Sequence, residues 1–260
     1  MYEQLVQVGA SIIIAMARVG GVIAATPLFS SPNLPGVFKI GLILGLSFLL
    51  YPLVGVSSSV LSLSLLSLAG LLFKEVMAGL FFGAITFMFF SIFQTAGQLI
   101  DVPMGFGVVN FLDPNMGGQV PLMGRFHFTL TVLTFLTLNG HHLIIKALAE
   151  TYKLIPVGEL VVNPYSVEHF LYWFSQTFYI SVQLAMPVIA AMLLVDVGLG
   201  LLNRAVPQIN VFIIGFSVKI ALGMALVALG LPFYLELVNR LFTVNGKLME
   251  AIFGLLKTLR

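Results

Sequence analysis

Two opposite charges in apolar surroundings are the residues of this sequence best suited to chemistry. Asp196 lies within the apolar stretch 180–202, and Lys219 lies within the stretch 211–235. An Asp or Lys near the centre of a membrane helix costs about 2.5 to 3.5 kcal/mol, so each charge requires a compensating partner. Intramembrane charges are typical of proton or substrate relays, and they also serve as structural clamps. Both interpretations of this pair stay open.

The chain between these charges is a polar break that predicts a helical hairpin. The residues of its tip are Arg204, Pro207, Gln208 and Asn210. Because proline interrupts a helix, the apolar segments on either side should run antiparallel. Counted outward from Pro207 and Gln208, Asp196 and Lys219 lie at similar depth. We therefore predict a buried ion pair, or a shared hydrogen-bond network, across the hairpin.

A long apolar loop is predicted at residues 101–124, where five glycines and three prolines exclude a regular helix. Loops longer than about 12 to 15 residues are uncommon unless functional, and surface loops are normally polar. The large apolar side chains of this loop are Met104, Phe106, Phe111, Met116 and Met123. Non-helical backbone at membrane depth is tolerated inside protein or along a cavity, and hydrophobic constrictions gate pores. We predict a flexible pore plug; a re-entrant loop packed for structure alone is the alternative.

The composition indicates a protein whose surface is not mainly in water. The 260 residues are 59% hydrophobic and 8% charged, with a mean hydropathy of +1.08, whereas an ordinary soluble domain is roughly a quarter charged. Lipid or neighbouring subunits should cover this surface. The 12 basic and 10 acidic residues form no run of like charge, which excludes nucleic-acid binding. The absence of Cys excludes disulfides and thiolate metal sites,.

No metal site, cofactor or catalytic centre is predicted. His141 and His142 are adjacent, so they point to different sides of a helix and cannot share a metal in the usual i, i+4 manner. Asn139 and Gly140 beside them predict a helix end instead. The chain contains no G-x-S-x-G, H-E-x-x-H or matched aspartate pair, so we expect no enzyme.

Five to seven segments are long enough to bury themselves in a hydrocarbon core of about 30 Å, which takes about 20 residues. They are residues 5–29, 37–54, 76–93, 126–149, 180–202 and 211–235, with a shorter stretch, 60–73, that can merge with the next. None has the alternating pattern of barrel strands, so the predicted class is all-α, with membrane-associated helical hairpins, long kinked helices and an apolar mid-chain loop. Arg18 lies in the first segment, which offers it no evident partner. That segment lacks the basic start of a secretory signal, and we expect it to be retained.

Two local patterns refine the later helices. Ser166, with Glu168 in the first turn, predicts an N-cap. A helix from there to about residue 202 would be roughly 55 Å long at 1.5 Å per residue, with a kink at Pro187. The tail 241–260 is amphipathic, and it docks on a partner subunit, lies in the membrane interface or is solvated.

Two pairs of glycines have the small-xxx-small spacing that lets helices approach closely. They are Gly41 with Gly45 and Gly79 with Gly83. With 25 glycines in the chain, chance spacing is an equal explanation.

Several short motifs are distributed along the chain. Around the loop they are Gly97-Gln98-Leu99-Ile100-Asp101, Met104-Gly105-Phe106-Gly107, Asp113-Pro114 and Gln119-Val120-Pro121. Elsewhere they are Ala17-Arg18-Val19-Gly20, Asn139-Gly140-His141-His142, Leu154-Ile155-Pro156-Val157-Gly158 and residues 204–211 followed by Lys219. These motifs resemble the FliR family of flagellar export proteins, and the resemblance extends over nearly the whole chain.

This resemblance implies a structural subunit of a type III protein-export gate in the bacterial inner membrane, at the flagellar basal body. Its partners would be FliP-like and FliQ-like subunits, an FlhB-like subunit, lipid and the unfolded proteins that are exported. Residues 1–155 would be a FliP-like part that includes the plug, and residues 156–260 a FliQ-like hairpin with the tail. Members of the family lie largely toward the periplasmic side once assembled. The virulence relatives share this architecture, and the sequence does not separate the two branches.

A secondary transporter is the competing interpretation. It would use Asp196 and Lys219 as a coupling relay, and it would require an internal repeat with paired broken helices. The sequence contains no such repeat. Membrane orientation stays open, because Arg204 and the basic tail should fall on opposite sides of one crossing.

Overall fold

The computed structural model describes residues 2–32, 34–55, 64–106, 121–208 and 210–259. Within these ranges the chain forms helices and no strand. The helices are α1 (Tyr2–Ala25), α2 (Pro27–Ser30), α3 (Gly36–Leu50), α4 (Leu65–Asp101), α5 (Leu122–Thr137), α6 (Gly140–Leu154), α7 (Pro164–Ala205), α8 (Val211–Phe242) and α9 (Lys247–Thr258), and a 3-10 turn (Tyr51–Leu53) follows α3. The predicted all-α class is confirmed.

Five helical stretches of the described chain are long and apolar enough to cross a membrane. They are Gln4–Ala25, Gly36–Leu53, Leu65–Asp101, Pro164–Ala205 and Ile213–Thr258, and α5 with α6 would make a sixth if the two form one broken span. The number of these stretches, five or six, agrees with the five to seven segments predicted from hydropathy. The described part of the short stretch 60–73 merges into α4, which has 37 residues. The chain is a membrane protein.

The first of two compact units comprises Met1–Phe89, Leu138–Phe174 and Leu241–Arg260. In it α1 packs against α3, and α1 also meets α4 at two of the predicted glycines. A Cβ atom on Gly79 would overlap the carbonyl oxygen of Arg18, and one on Gly83 would lie 2.5 Å from the Cβ of Ala25. The packing interpretation is therefore confirmed for this pair. A Cβ on Gly41 or Gly45 meets no described atom within 4 Å.

The amphipathic tail belongs to the core of this first unit. The apolar face of α9 is buried, with Leu248, Ile252 and Leu255 each at most 1% exposed, and α9 packs against α6. The backbone amide of Val161 donates to the carbonyl of Leu259 at 2.9 Å. None of the three predicted environments for the tail is correct, because its partner is the helix formed by residues 140–154 of the same chain.

The second unit comprises Phe90–Thr137 and Ser175–Arg240. Its core contains Ala96, Ile100, Met104, Met123, Ala185, Val188 and Met192. Aromatic rings extend this core, since Phe93 lies 4.9 Å from Tyr234 and Phe90 lies 5.1 Å from Phe135 between ring centroids. The apolar ends of the mid-chain loop are thus part of a helical core.

Two helix boundaries differ from the prediction. The segment 126–149 is not one helix, because Asn139 adopts a left-handed conformation at φ 57° and separates α5 from α6. Asparagine tolerates this conformation better than most residues, and the helix end expected beside His141 is present. Helix α7 begins at Pro164 rather than at Ser166, because the side-chain oxygen of Asn163 accepts from the Ser166 amide at 2.9 Å. Asn before Pro is the stronger start signal.

Candidate functional site

The base of the apolar loop is closed by one carboxylate. Asp101 is the last residue of α4. Its Oδ1 accepts a hydrogen bond from the Met123 amide at 2.9 Å, and its Oδ2 accepts from the Gly124 amide at 3.3 Å. Both donors lie in the first turn of α5, where backbone N–H groups lack helical partners and the helix dipole favours negative charge. Asp101 therefore holds the two ends of the loop together.

Glycines allow the backbones of α4 and α5 to meet at this base. A Cβ on Gly97 would lie 2.6 Å from the Cα of Gly124, and a Cβ on Gly124 would lie 2.8 Å from the Cγ of Gln98. Real Cβ atoms do not approach so closely, so a side chain at Gly97 would require movement of the α5 backbone, and one at Gly124 would require movement of the Gln98 side chain,. This close approach is what brings the Asp101 carboxylate within reach of the α5 amides.

Met104 anchors the first residues of the loop in the core of the second unit. It is fully buried, and its terminal methyl would lie 2.5 Å from a Cβ on Gly223 of α8. Gly105 has a φ of +93°, which favours glycine,. Phe106, half-buried, packs against the same core, and Met123 at the other end is 8% exposed.

The five predicted plug residues thus fall into two groups. Met104 and Met123 fill the core on either side of the loop base, and Phe106 lies at its edge. Phe111 and Met116 lie outside the described residues. The contacts of Met104 and Met123 are those of core side chains, which anchor the described ends of the loop.

A buried network of hydrogen bonds next to the loop base was not predicted from the sequence. The His127 ring nitrogen Nδ1 lies 2.8 Å from the Met123 carbonyl, to which it donates,. Tyr234 of α8 donates to the His127 carbonyl at 2.6 Å, and its hydroxyl also lies 2.6 Å from the Thr131 hydroxyl. These bonds tie the first turns of α5 to α8. The available signal was His127 and Thr131 at i, i+4 spacing on a mostly apolar helix,.

The hairpin of α7 and α8 brings Asp196 and Lys219 together. The Lys219 ammonium and the Asp196 carboxylate form an ion pair, in which the side chains are 20% and 48% exposed. The predicted contact is present, but the prediction that the pair is buried is wrong within this chain, because the Asp196 side chain is 48% exposed. Nearby, the two helices also meet where Leu199 packs on Gly215. Similar depth along antiparallel arms was the right geometric argument for this contact.

The tip of the hairpin lies where the polar break placed it. Helix α7 ends at Ala205, with Arg204 exposed in its last turn, and Pro207 and Gln208 form the turn. The side-chain oxygen of Asn210 accepts from the Ile213 amide at 3.3 Å and caps α8,.

Arg18 has a partner that its own segment could not supply. The guanidinium, 1% exposed, donates from Nε to the Glu75 carboxylate of α4 at 2.7 Å. Its other nitrogens donate to the Thr151 hydroxyl and to the Ile155 carbonyl, and its carbon lies 4.3 Å from the Tyr152 ring centroid. This cluster links α1, α4 and α6 within the first unit. Glu75 inside an apolar run was the signal that sequence reasoning passed over.

The described residues contain no cluster of His, Cys, Asp or Glu that could hold a metal ion. The polar groups described above act as helix caps, hydrogen-bonded links and ion pairs between helices. The polar contacts at Asp101, Asp196, Arg18 and Tyr234 each fix one helix against another.

Comparisons with known proteins show the family of this chain. The model of a family described as "Bacterial export proteins, family 1" matches residues 10–244. The flagellar biosynthetic protein FliR of Bacillus subtilis (strain 168) is 32% identical over 248 residues, which cover 94% of each chain. The FliR of Escherichia coli (strain K12) is 30% identical, over 91% of this chain and 90% of its own. That of Aquifex aeolicus (strain VF5) is 29% identical over 85% of each. This chain belongs to family 1 of the bacterial export proteins, the FliR family.

Proposed function

We propose that this chain is a structural subunit of the flagellar protein-export apparatus in the bacterial cell membrane, at the basal body. It helps to form, and closes, the channel through which unfolded flagellar proteins leave. It works without catalysis, by displacement of an apolar plug when substrate is driven through. The observation that carries the proposal is the apolar loop whose two ends Asp101 joins at the first turn of α5.

The clamp at the loop base supports gating because it holds the residues on both sides of the loop in place. Met104 and Met123 stay in the core, and the Asp101 carboxylate keeps the two ends together. In this proposal, substrate displaces the apolar plug while the helices that frame it stay together. An apolar constriction excludes water and ions until a polypeptide replaces it, which is the behaviour required of a gate.

The exposed apolar surface supports assembly with other subunits. In the stretch Gly36–Leu53, which contains α3, only 11% is buried in this chain, and in the most apolar part of α7 only 17% is buried. The corresponding share for α4 is 61%. FliP-like, FliQ-like and FlhB-like subunits, together with lipid, would cover these faces. In this proposal residues 1–155 take the FliP-like position and residues 156–260 the FliQ-like position.

The plug is tested by ion leak through the assembled complex in vesicles. Deletion within residues 107–119, or Phe111→Gly, should raise the leak of a small-ion reporter dye, because the constriction loses apolar bulk. Phe178→Gly is the matched control, since Phe178 is 58% exposed on α7 and outside the loop. The loop variants and the control must purify with the same accompanying chains in the same ratio. Equal permeability of the loop variants and the control would contradict the plug, and purification as a lone chain would contradict the export-gate assembly.

A further inference from the structure

Two prolines interrupt the backbone hydrogen bonds of the hairpin formed by α7 and α8. Pro187 lies inside α7 and Pro232 lies inside α8, and both helices continue past them. A helical proline donates no bond to the carbonyl four residues before it, here that of Gln183 or Ala228, and its ring crowds that carbonyl. Proline is one of the few causes of a sharp bend in a helix. Each helix of the hairpin therefore has a weak point.

A cavity of about 110 Å³ lies beside both weak points, inside the second unit. Pro187 lines it from α7, and Gly230, Leu231 and Phe233 line it from α8 around Pro232. Side chains of α4 and α5 form the remaining walls. Protein interiors have few such voids, because the side chains around a void lose contacts. The packing of the hairpin against α4 and α5 is thus reduced at the level of its two prolines.

The half of the hairpin beyond the cavity, which we call the arm, is little covered by the rest of the chain. The arm comprises residues 193–205 of α7 and residues 213–223 of α8. None of residues 193–205 is buried, and the only buried residues among 213–223 are two glycines. The ion pair of Asp196 with Lys219 joins the two helices within the arm. The arm can therefore move as one body.

On the other side of the cavity, the hairpin is fixed to α5. Tyr234 donates to the His127 carbonyl at 2.6 Å, and its hydroxyl lies 2.6 Å from the Thr131 hydroxyl. Tyr234 and Val238 are both buried. The hairpin thus has a fixed root and an exposed arm, with two helical prolines and a void between them.

The start of the mid-chain loop rests on the arm. The terminal methyl of Met104 would lie 2.5 Å from a Cβ on Gly223, and a Cβ on Gly105 would lie 3.1 Å from the Phe216 ring. Gly223 and Pro232 are about 13 Å apart at 1.5 Å per residue. A bend of about 20° at Pro232 would shift Gly223 by about 5 Å, which exceeds the distance of a side-chain contact. Bending would therefore separate Gly223 from Met104.

We propose that the α7–α8 hairpin is a proline hinge, in which the arm bends as one body at Pro187 and Pro232 and thereby releases Met104 from Gly223 at the base of the loop. In this structure the arm is in its seated position, with Met104 on Gly223. The cavity lowers the cost of bending, because few side-chain contacts are lost at the level of the prolines. This inference goes beyond the proposed function, since it holds whether or not the loop closes a channel.

The hinge is tested by distances between spin labels in the full chain, purified in mild detergent with accompanying subunits whose Cys residues are replaced by Ser. The chain itself contains no Cys, so pairs of introduced Cys define the labels. Leu133→Cys on α5 with Leu201→Cys on the arm should give two populations of distances. Leu133→Cys with Phe178→Cys, on α7 before its proline, is the control and should give one narrow population. All three side chains are exposed.

Two substitutions should stiffen the hinge. Pro187→Ala restores an amide donor for the Gln183 carbonyl, and Gly230→Ala removes the conformational freedom of a glycine close to Pro232. Each should reduce the bent population about fivefold, as expected for one helical hydrogen bond or one exchange of Gly for Ala. Gly198→Ala is the matched control for Gly230→Ala, because Gly198 is an equally open helical glycine within the arm. It should leave the distances unchanged.

A second readout follows the contact between Met104 and Gly223. Met104 is fully buried, so hydrogen peroxide should oxidise its thioether to the sulfoxide only when this region opens. Pro187→Ala should slow the appearance of the Met104 sulfoxide about fivefold, as measured by mass spectrometry. Met249, buried in the first unit, should oxidise at an unchanged rate, which distinguishes a stiffer hinge from a general gain in stability.

Either of two results would overturn the hinge. One is a distance distribution between residues 133 and 201 as narrow as that between residues 133 and 178, which would show that root and arm form one rigid body. The other is that neither Pro187→Ala nor Gly230→Ala changes the distances or the oxidation of Met104, in complexes of unchanged subunit ratio. If Pro187→Ala does not assemble, Gly230→Ala alone decides.

Discussion

At the scale of single residues, the charged groups of this chain differ in how completely protein surrounds them. Arg18 and Glu75 are each 1% exposed and are bonded on several sides. Lys153 and Glu150, in contrast, form an ion pair within one helix with side chains 67% and 48% exposed. Water or lipid headgroups can replace the second contact but not the first. The buried pair should therefore contribute strongly to the stability of the fold, although neither of its members touches the loop.

Removal of one member of the buried pair should destabilise the fold strongly. Glu75→Gln leaves the Arg18 charge without its partner, and we expect the free energy of unfolding to fall by about 3 to 5 kcal/mol. Titration with a denaturing detergent in mixed micelles measures this loss. Glu150→Gln is the control and should cost about 0 to 1 kcal/mol. Equal losses of unfolding free energy in the two variants would show that the buried pair contributes no more to stability than the exposed pair.

The Asp101 cap should control local opening of the first turn of α5. Asp101→Ala removes both acceptors and should destabilise that turn by about 1 kcal/mol, with amide exchange of Met123 and Gly124 roughly fivefold faster. Asp101→Asn keeps one acceptor oxygen and should have a smaller effect. Hydrogen exchange read by mass spectrometry provides the measurement.

The matched control for this cap is Asn210→Ala, which removes the corresponding cap from α8. It should accelerate exchange at Ile213 and leave the first turn of α5 unchanged. Unaltered exchange at Gly124 in Asp101→Ala would show that the carboxylate does not hold the loop base.

At the scale of helices, periodicity and breaker residues predicted the elements well where one strong signal stood alone. The polar break around Pro207 correctly predicted the hairpin tip, and hydropathy predicted the long helices. Competing local signals led to the errors. Asn163 and Ser166 both suit an N-cap, and the proline after Asn163 decides between them. The break at Asn139 depends on one left-handed residue that hydropathy averaging hides.

The parts that could not be predicted are contacts between residues far apart in the chain. The Arg18 partner lies 57 residues away and the Tyr234 contact of His127 lies 107 residues away. Hydrophobic patterns specify which face of a helix is buried, but they do not specify against which helix. The tail 241–260 illustrates this, since its apolar face was identified from spacing while its partner, α6, was not. Only the short hairpin allowed a pairing to be counted directly.

The ion pair across the hairpin should stabilise the contact between α7 and α8 as a clamp. In a double-mutant cycle, Lys219→Ala should be rescued in part by Asp196→Ala, with a coupling of about 1 kcal/mol because Lys219 is mostly covered,. Unfolding in mixed micelles gives the four free energies. The control cycle, on Glu236 and Arg240 within α8, joins two more exposed side chains and should give about 0.3 to 0.5 kcal/mol. Strict additivity for the first pair would reject the clamp.

At the scale of the whole molecule, many large apolar side chains are not covered by other described residues. Side chains of α3 such as Val37 and Phe48 are 83% and 66% exposed, while the same helix presents Gly41 and Gly45 with open space beside them. Small residues allow helix backbones to approach closely in membranes, where packing rather than water drives association. This face of α3 is therefore suited to close packing against another helix.

Substitution of these glycines should affect assembly without affecting the fold of the chain. Gly41→Ile with Gly45→Ile adds bulk where no described atom lies within 4 Å, so the unfolding free energy should change little while the amount of accompanying subunits recovered in mild detergent falls. Gly79→Ile is the contrasting variant, because a side chain there would overlap the Arg18 carbonyl oxygen and should destabilise the chain itself. If the α3 variant retains its full complement of accompanying chains, this face contacts lipid alone, and the subunit interface must lie on α7 and α8.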